Sequence, residues 1–301
     1  MRLSGPALGV VLMLSGSLLL TVNDVFIKLL VEDLPLGQAV ALRSLTGLAL
    51  LLALSPWLGG VRALVPRSAK AALWLTGLLT VGMFLFPLSL RYVPLADAVM
   101  LVYLSPAVVA ALSPLILGER VGWRRWGAVG FGLAGAAFVV APEGAALHPA
   151  YALPVLVAGV VGLRDVLTRA YIARESPLAL VAALHLAVGT LGLLSLPAGW
   201  DPLEIRHGGW ILAAAVLLTL AQILMTAAFA HGEAPVMSCL KLTSIPWAAG
   251  LGWIVWQDRL GAADLAGACL IAVSAAVILL RSPRPAPLAT PADPPEIRPR
   301  G

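Results

Sequence analysis

Asp24 and Lys28 stand four residues apart inside an apolar run, and Arg43 lies in the next run, eight residues past Pro35. Later in the chain Asp165 and Arg169 repeat that spacing, with Arg164 beside the acid and His185 eight residues past Pro177. Burying an ionised side chain in such a run costs about 3 kcal/mol on insertion scales, so residues of this kind mark solute paths, proton relays or paired locks between helices. A carboxylate there can hold a cation or carry a proton; a guanidinium or imidazole can hold an anion. Residues four apart share a helix face, which puts Asp24 and Lys28 together. Asp24 precedes Pro35 by eleven residues. At 1.5 Å per residue, a hairpin turning at the proline brings Asp24 and Arg43 to about 12–16 Å below the turn, so contact between them is expected. Asp165, twelve residues before Pro177, and His185 reproduce the geometry.

Asn23 adjoins Asp24, and Lys241 falls inside a later apolar run. Together with Arg164, Arg169 and His185, Lys241 would make one half of a central cavity positive and favour an anionic or carboxylate-bearing solute. Pairing of Lys241 with Glu233, or its reach to the membrane surface, is the plainer alternative. Lys28 and Arg169 sit near run ends and could likewise extend to the interface. Asp24 and Asp165 are too short for that; a structural pair joining two helices is their alternative. Gln222, Tyr92, Tyr103 and His231 are candidate cavity contacts, and mid-run Gln222 also suits a hydrogen bond between helices. Glu119 and Asp258 close two corresponding runs, where pairing with nearby arginines is the ordinary role. The candidates for proton coupling are Asp24, Asp165 and Glu119.

The elements that position these residues follow from composition. Of 301 residues, 60% are hydrophobic and only 12% charged, against about 25% charged in a soluble domain. A membrane-crossing helix needs about 20 mostly apolar residues, and ten such stretches can be drawn: 7–30, 36–55, 71–90, 95–117, 123–141, 150–173, 177–197, 209–230, 235–256 and 262–280. The runs are apolar on nearly every face, unlike the alternating strands of a membrane barrel. The fold class expected is an all-α membrane protein with ten transmembrane helices. The first run continues past Ser15-Gly16-Ser17 and reads as an uncleaved span rather than a secretory leader. Residues 1–6 form a short N-terminus, and the proline-rich segment 281–301 reads as a disordered tail.

The chain is also written twice. Asn23-Asp24-Val25 matches Arg164-Asp165-Val166; Ser105-Pro106 matches Ser244-Ile245-Pro246; Leu117-Gly118-Glu119-Arg120 matches Trp256-Gln257-Asp258-Arg259. The units are 7–141 and 150–280, five spans each. An odd number of spans makes the second unit enter the membrane from the opposite side, giving two inverted five-helix repeats around a central site. Pro106 and Pro246, one in each repeat, would suit hinges. Lysine and arginine collect at Arg62, Arg67, Lys70, Arg120, Arg124, Arg125, Arg174 and the tail, which places both termini in the cytoplasm. The net charge of +5 reflects that asymmetry against anionic lipid and implies no nucleic-acid partner. Small residues at Ala128, Gly132, Ala136 and Ala268, Ala272, Ala276 mark the fifth and tenth spans as packing supports, with a homodimer contact as one use.

This ordered series resembles paired EamA domains of the drug/metabolite transporter superfamily. It is carried by the Pro35-to-Arg43 spacing, Leu90-Arg91-Tyr92-Val93-Pro94-Leu95-Ala96, Ser105-Pro106, and Leu117-Gly118-Glu119-Arg120 followed by Trp123-Arg124-Arg125-Trp126-Gly127. The resemblance implies a ten-helix permease of the bacterial inner membrane, often an exporter of small metabolites. The acid-x-x-x-Lys of the first span and the arginine-rich connection also resemble carriers described for riboflavin and S-adenosylmethionine. Gln257-Asp258 stands where the family has Gly-Glu, and His185 where it has arginine.

No phosphate-binding loop of the Walker type occurs, nor G-x-S-x-G or H-E-x-x-H, so neither an ATP-driven motor nor a familiar hydrolase is written here. His148, His185, His207 and His231 show no ligand spacing, and Cys239 and Cys269 read as small hydrophobes. No metal, cofactor or catalytic residue is assigned. A membrane-embedded enzyme and a structural or regulatory subunit are the alternatives to a carrier of a small solute.

Overall fold

A computed structural model describes residues 5–117, 127, 130, 134, 149–172, 175–232, 234–258, 261, 262, 265–270 and 273. Every element among them is helical. In hydrocarbon a backbone must satisfy its own polar groups, and a helix does so within one segment. The long elements are α1 (Gly5–Asp33), α2 (Leu36–Leu54), α3 (Ala69–Ser89), α6 (Ala152–Tyr171), α7 (Pro177–Leu193) and α8 (Ile205–Ala228). Four shorter helices complete the set: α4 (Leu95–Val102), α5 (Ser105–Leu117), α9 (Ala234–Leu240) and α10 (Ser244–Trp256).

Seven segments are long and apolar enough to cross a membrane: Ala7–Asp33, Leu36–Trp57, Ala69–Ser89, Asp97–Ile116, Pro149–Tyr171, Pro177–Ala198 and Ile205–Ala228. The chain is a multi-pass membrane protein. Apolar side chains such as Leu73, Leu115, Leu186 and Ile254 cover its outside, where lipid is the solvent. The expected ninth span is not one helix: α9 and α10 are joined by a 3-10 turn, Lys241–Thr243. The fourth breaks likewise at Tyr103 and Leu104, between α4 and α5. Glu119, most of the expected fifth and tenth spans and the tail 281–301 lie outside the described residues.

Sequence explains where the helices stop. Pro35 ends α1, and Arg91 caps that end, donating from Nε to Val31 O at 2.9 Å and from Nη2 to Leu34 O at 2.7 Å. Ser68 opens α3, its Oγ accepting from Ala71 N at 3.2 Å. Glu175, from the α6–α7 connection, accepts from the backbone N–H groups of Arg67 (3.0 Å) and Ser68 (2.7 Å). A carboxylate at a helix N-terminus is favoured by both the free donors and the dipole. Gln257 ends α10 in the left-handed region, φ 58°.

The helices pack in pairs that cross the two halves of the sequence: α1 on α8, α2 on α7, α3 on α6, and α5 on α6. The α2–α7 contact is so close that a Cβ added to Gly192 would lie 2.7 Å from Ala41 Cβ and 2.9 Å from its Cα. One buried apolar cluster joins α1, α4, α8 and α10, including Ile27, Leu30, Leu101, Ala214 and Ala248; another gathers Met13, Val109, Val166, Met225 and Phe229.

Candidate functional site

Between these pairs lies a cavity with about 110 Å³ of room for water centres, against roughly 10–15 Å³ for one water. It has room for several waters or a small solute. Its walls come from α1 (Asn23, Asp24), α2 (Arg43), α3 (Met83, Phe86), the α4 break (Val99, Val102, Tyr103), α6 (Arg164, Asp165), α8 (Gln222) and the α9 break (Lys241). Both halves of the chain contribute, and both broken spans open onto it.

The second half supplies a closed polar knot. Asp165, fully buried, is bound by the Lys241 ammonium, by Ser238 Oγ at 2.8 Å and by Arg164 Nη1 at 3.5 Å. Arg164 Nη2 donates to Thr226 Oγ1 at 2.8 Å. The Lys241 Nζ also lies 5.4 Å from the centre of the Phe229 ring. The break in the ninth span follows from this: an ammonium aimed at Asp165 sits where the helix gives way to a 3-10 turn.

The first half is open. Asp24 accepts from Asn23 Nδ2 at 3.1 Å, and among the described residues no cation stands within 4.0 Å of it. Arg43, almost completely buried, faces the same cavity but turns Nη2 to Met83 Sδ at 3.5 Å. The expected Asp24–Arg43 contact is therefore replaced by two charges within electrostatic reach of each other but not paired. Asn23 Oδ1, Arg43 Nε, Arg164 Nε and Ser105 Oγ are buried without a hydrogen-bond partner among the described residues. Such atoms are rare in folded interiors and call for an explanation.

Other candidates lie elsewhere. Lys28 does not share the cavity with Asp24; it lies 3.8 Å from Asp258 and 4.2 Å over the Trp256 ring. Arg169 donates to Phe229 O at 3.0 Å, at the end of α8. His185 Nε2 meets Thr219 Oγ1 at 2.8 Å between α7 and α8, so it does not join Asp165 as the spacing had suggested. Tyr92 is 59% exposed on the turn before α4 and is not among the cavity residues. His231 sits beyond α8, beside Gly9 of α1. Tyr103, at the break between α4 and α5, lines the cavity. Pro106 falls in the first turn of α5 and Pro246 in that of α10.

Sequence reasoning passed over Ser238, Thr226, Met83 and Asp97. Ser238 precedes Lys241 by three residues and Thr226 follows Gln222 by four, so helical spacing from residues already chosen would have found both. Asp97, which accepts from Tyr151 Oη at 3.0 Å, is an acid in the first turn of α4. At the Asp33 end of the bundle, His207 Nε2 and Arg206 Nη2 each stand 3.2 Å from Asp33 Oδ2.

Comparison with known proteins agrees with this geometry. Residues 7–141 match the model of the EamA-like transporter family. The pseudopaline exporter of Pseudomonas aeruginosa is 30% identical over 88% of this chain and 94% of its own length. A riboflavin transporter of Rhizobium johnstonii is 29% identical over 64% of each chain, and one of Vibrio cholerae 28% identical over 67% of this chain and 68% of its own. A solved crystal structure, 21% identical, superimposes over 93% of this chain and 99% of its own with a TM-score of 0.67, which shows a shared fold. A cavity walled by both halves, two broken spans and relatives that are transporters along nearly the whole chain agree: the protein belongs to the EamA-like transporter family.

Proposed function

We propose that this protein is a secondary carrier that exports a small polar or anionic metabolite across the bacterial inner membrane by alternating access. The observation that carries the reading is the charged cavity where two discontinuous spans meet. Substrate sites of secondary carriers lie near the bilayer midplane, at interrupted helices between repeats. The full architecture is ten spans in two inverted five-helix repeats, 7–141 and 150–280, with both termini cytoplasmic. Three facts support it: the matched breaks before Ser105 and Ser244, the exchange-related contacts α1–α8 and α6–α3, and α2–α7 packing between equivalent helices. Pro106 and Pro246 act as hinges beside the breaks. The small-residue faces of the fifth and tenth spans serve support or a homodimer contact.

Export and an organic solute are supported by the printed functions of the relatives, a pseudopaline exporter and riboflavin transporters. Transport is the activity assigned, with no covalent chemistry and no cofactor. Proton coupling fits best at Asp24, because Asp165 is already held by Lys241; Glu119 is a further candidate. The test compares metabolites in cells and medium between a deletion strain and its parent, then moves the retained solute through purified protein in sealed vesicles. An imposed pH gradient alone then drives uphill movement. Vesicles that move nothing that the deletion strain retains would overturn the carrier reading.

A further inference from the structure

Two 3-10 turns, Ser55–Trp57 and Val61–Leu64, join α2 to α3 at one end of the bundle. Leu58 and the buried Leu64 pack with Leu178, Val181 and Ala182 of α7, which fixes the connection against the helices. Three other apolar side chains are left open: Trp57 is 80% exposed, and Val61 and Val65 are exposed as well. Arg62, Arg67 and Lys70 lie exposed among them, and no carboxylate among the described residues stands within 4.0 Å of these cations. Glu175 does reach the connection, but it is buried and its two oxygens are committed to the backbone N–H groups of Arg67 and Ser68. Helix stability does not account for the cations either. Arg67 and Lys70 sit at the N-terminus of α3, where the dipole opposes positive charge. The α7–α8 connection, the counterpart in the second repeat proposed above, makes the contrast. It too has a 3-10 turn, Leu196–Ala198, and exposed leucines at Leu194, Leu196 and Leu203. Its arginine, Arg206, is held by Glu204 at 2.8 Å and by Asp33 at 3.2 Å. Exposed apolar surface is common to both connections; positive charge without a partner distinguishes the first.

We propose that the α2–α3 connection is a binding site for an anionic phospholipid, whose phosphate is received by Arg62, Arg67 and Lys70 while Trp57, Val61 and Val65 enter the interfacial layer of the bilayer. Position in the fold supports this occupant. The connection lies where α2 and α3 leave the hydrocarbon, and the residues that flank it, Leu52 and Leu54 on α2 and Leu73 and Trp74 on α3, are apolar and exposed. Acyl chains below a headgroup seated on the connection meet those side chains. Tryptophan rings settle at headgroup level, and long basic side chains lay their stems along apolar surface with the charge in the polar layer. Cations clustered beside a membrane span are drawn to anionic headgroups, and a guanidinium presents a fork of donors that fits a phosphate. The site also touches both halves of the chain. Glu175, from the α6–α7 connection, holds the backbone between Arg62 and Lys70, so a bound headgroup braces the end of the bundle that Glu175 already ties. The inference stands on the membrane-spanning fold and is independent of which solute is carried.

The test titrates the purified full chain in detergent with phosphatidylglycerol and with phosphatidylcholine of the same acyl chains, and counts bound lipid by native mass spectrometry. Phosphatidylglycerol binds at least tenfold more tightly, and that preference shrinks as salt is raised, since exposed charges are screened. Arg62→Gln, Arg67→Gln and Lys70→Gln together remove the preference. Arg120→Gln, Arg124→Gln and Arg125→Gln together, an equal change of charge in another connection, retain it. Trp57→Ala weakens the binding of both lipids alike. Inorganic phosphate does not displace the lipid, because it lacks the apolar part of the contact. Equal affinity for the two lipids, a preference indifferent to salt, or one that survives the first triple variant would overturn the inference. So would equal loss in both triple variants, which marks an effect of total charge, or displacement by inorganic phosphate, which marks a plain anion site. Should the first triple variant fail to fold, the salt dependence of the wild type and the double variant Arg62→Lys, Arg67→Lys, which keeps the charge and the preference, decide the matter.

Discussion

Lys241 and Asp165 join the break of one span to the middle of another, and both side chains are buried. Two charges in such a place are costly singly and acceptable together. The pair therefore holds the interrupted α9–α10 span against α6 more by the penalty for separation than by its own attraction.

Lys241→Met leaves Asp165 with the Ser238 hydroxyl and the Arg164 guanidinium at 3.5 Å, and costs about 3 kcal/mol, the low end of the range for breaking a buried pair from one side. Thermal unfolding in detergent measures it. The double variant Lys241→Met, Asp165→Asn recovers only part of the loss, because the buried Arg164 guanidinium then lacks its carboxylate. For transport, Lys241→Ala weakens movement of the solute and Lys241→Arg partly spares it.

Glu175→Gln exchanges a carboxylate that accepts from two backbone N–H groups for an amide with one acceptor oxygen. Hydrogen bonds to charged groups contribute about 1.5–3 kcal/mol each, so the variant loses about 2 kcal/mol. The loss is local to the start of α3, and hydrogen exchange at Arg67, Ser68 and the first turn of that helix rises before exchange elsewhere.

Gln257→Gly should raise stability. Gln257 adopts φ 58° at the end of α10, a conformation that costs L-residues about 1–2 kcal/mol and glycine almost nothing. The unfolded chain gains freedom as well, leaving a net gain of about 0.5–1 kcal/mol by the same thermal measurement. An unchanged or lower melting temperature would show that the Gln257 side chain contributes a compensating contact.

Gly192→Ala drives a methyl group into Ala41, whose Cβ and Cα would lie 2.7 and 2.9 Å away. Backbone must shift to admit it, at about 1–3 kcal/mol. Ala41→Gly in the same chain restores part of the loss, since it removes the nearer of the two clashing atoms.

Much of this site was written in the sequence. Asp24, Asp165, Arg43, Arg164 and Lys241 stood out because ionised groups are rare in apolar runs, and all five reach the cavity. Their partners were less legible. Residue counting fixes depth along a helix axis but not rotation about it, so Arg43 could be placed level with Asp24 without revealing that it turns toward Met83. Lys28 shows the same gap: its acid, Asp258, lies 230 residues along the chain, and only the packing of α1 against α10 brings them together. Hydropathy drew the ninth span as one run, since a single lysine barely lowers the mean of its window. The 3-10 turn at Lys241 arises from where that lysine must point, which depends on another helix.

The seam between α2 and α7 has a consequence for motion. With Gly192 set directly on Ala41, the two main chains nearly touch at that point, while Leu45 seats on Gly189 and His185 on Gly47 to either side. Alternating access, as proposed above, would use that main-chain contact as its fulcrum. Resistance to tipping then falls on the ionic ties far from the pivot, where leverage is greatest.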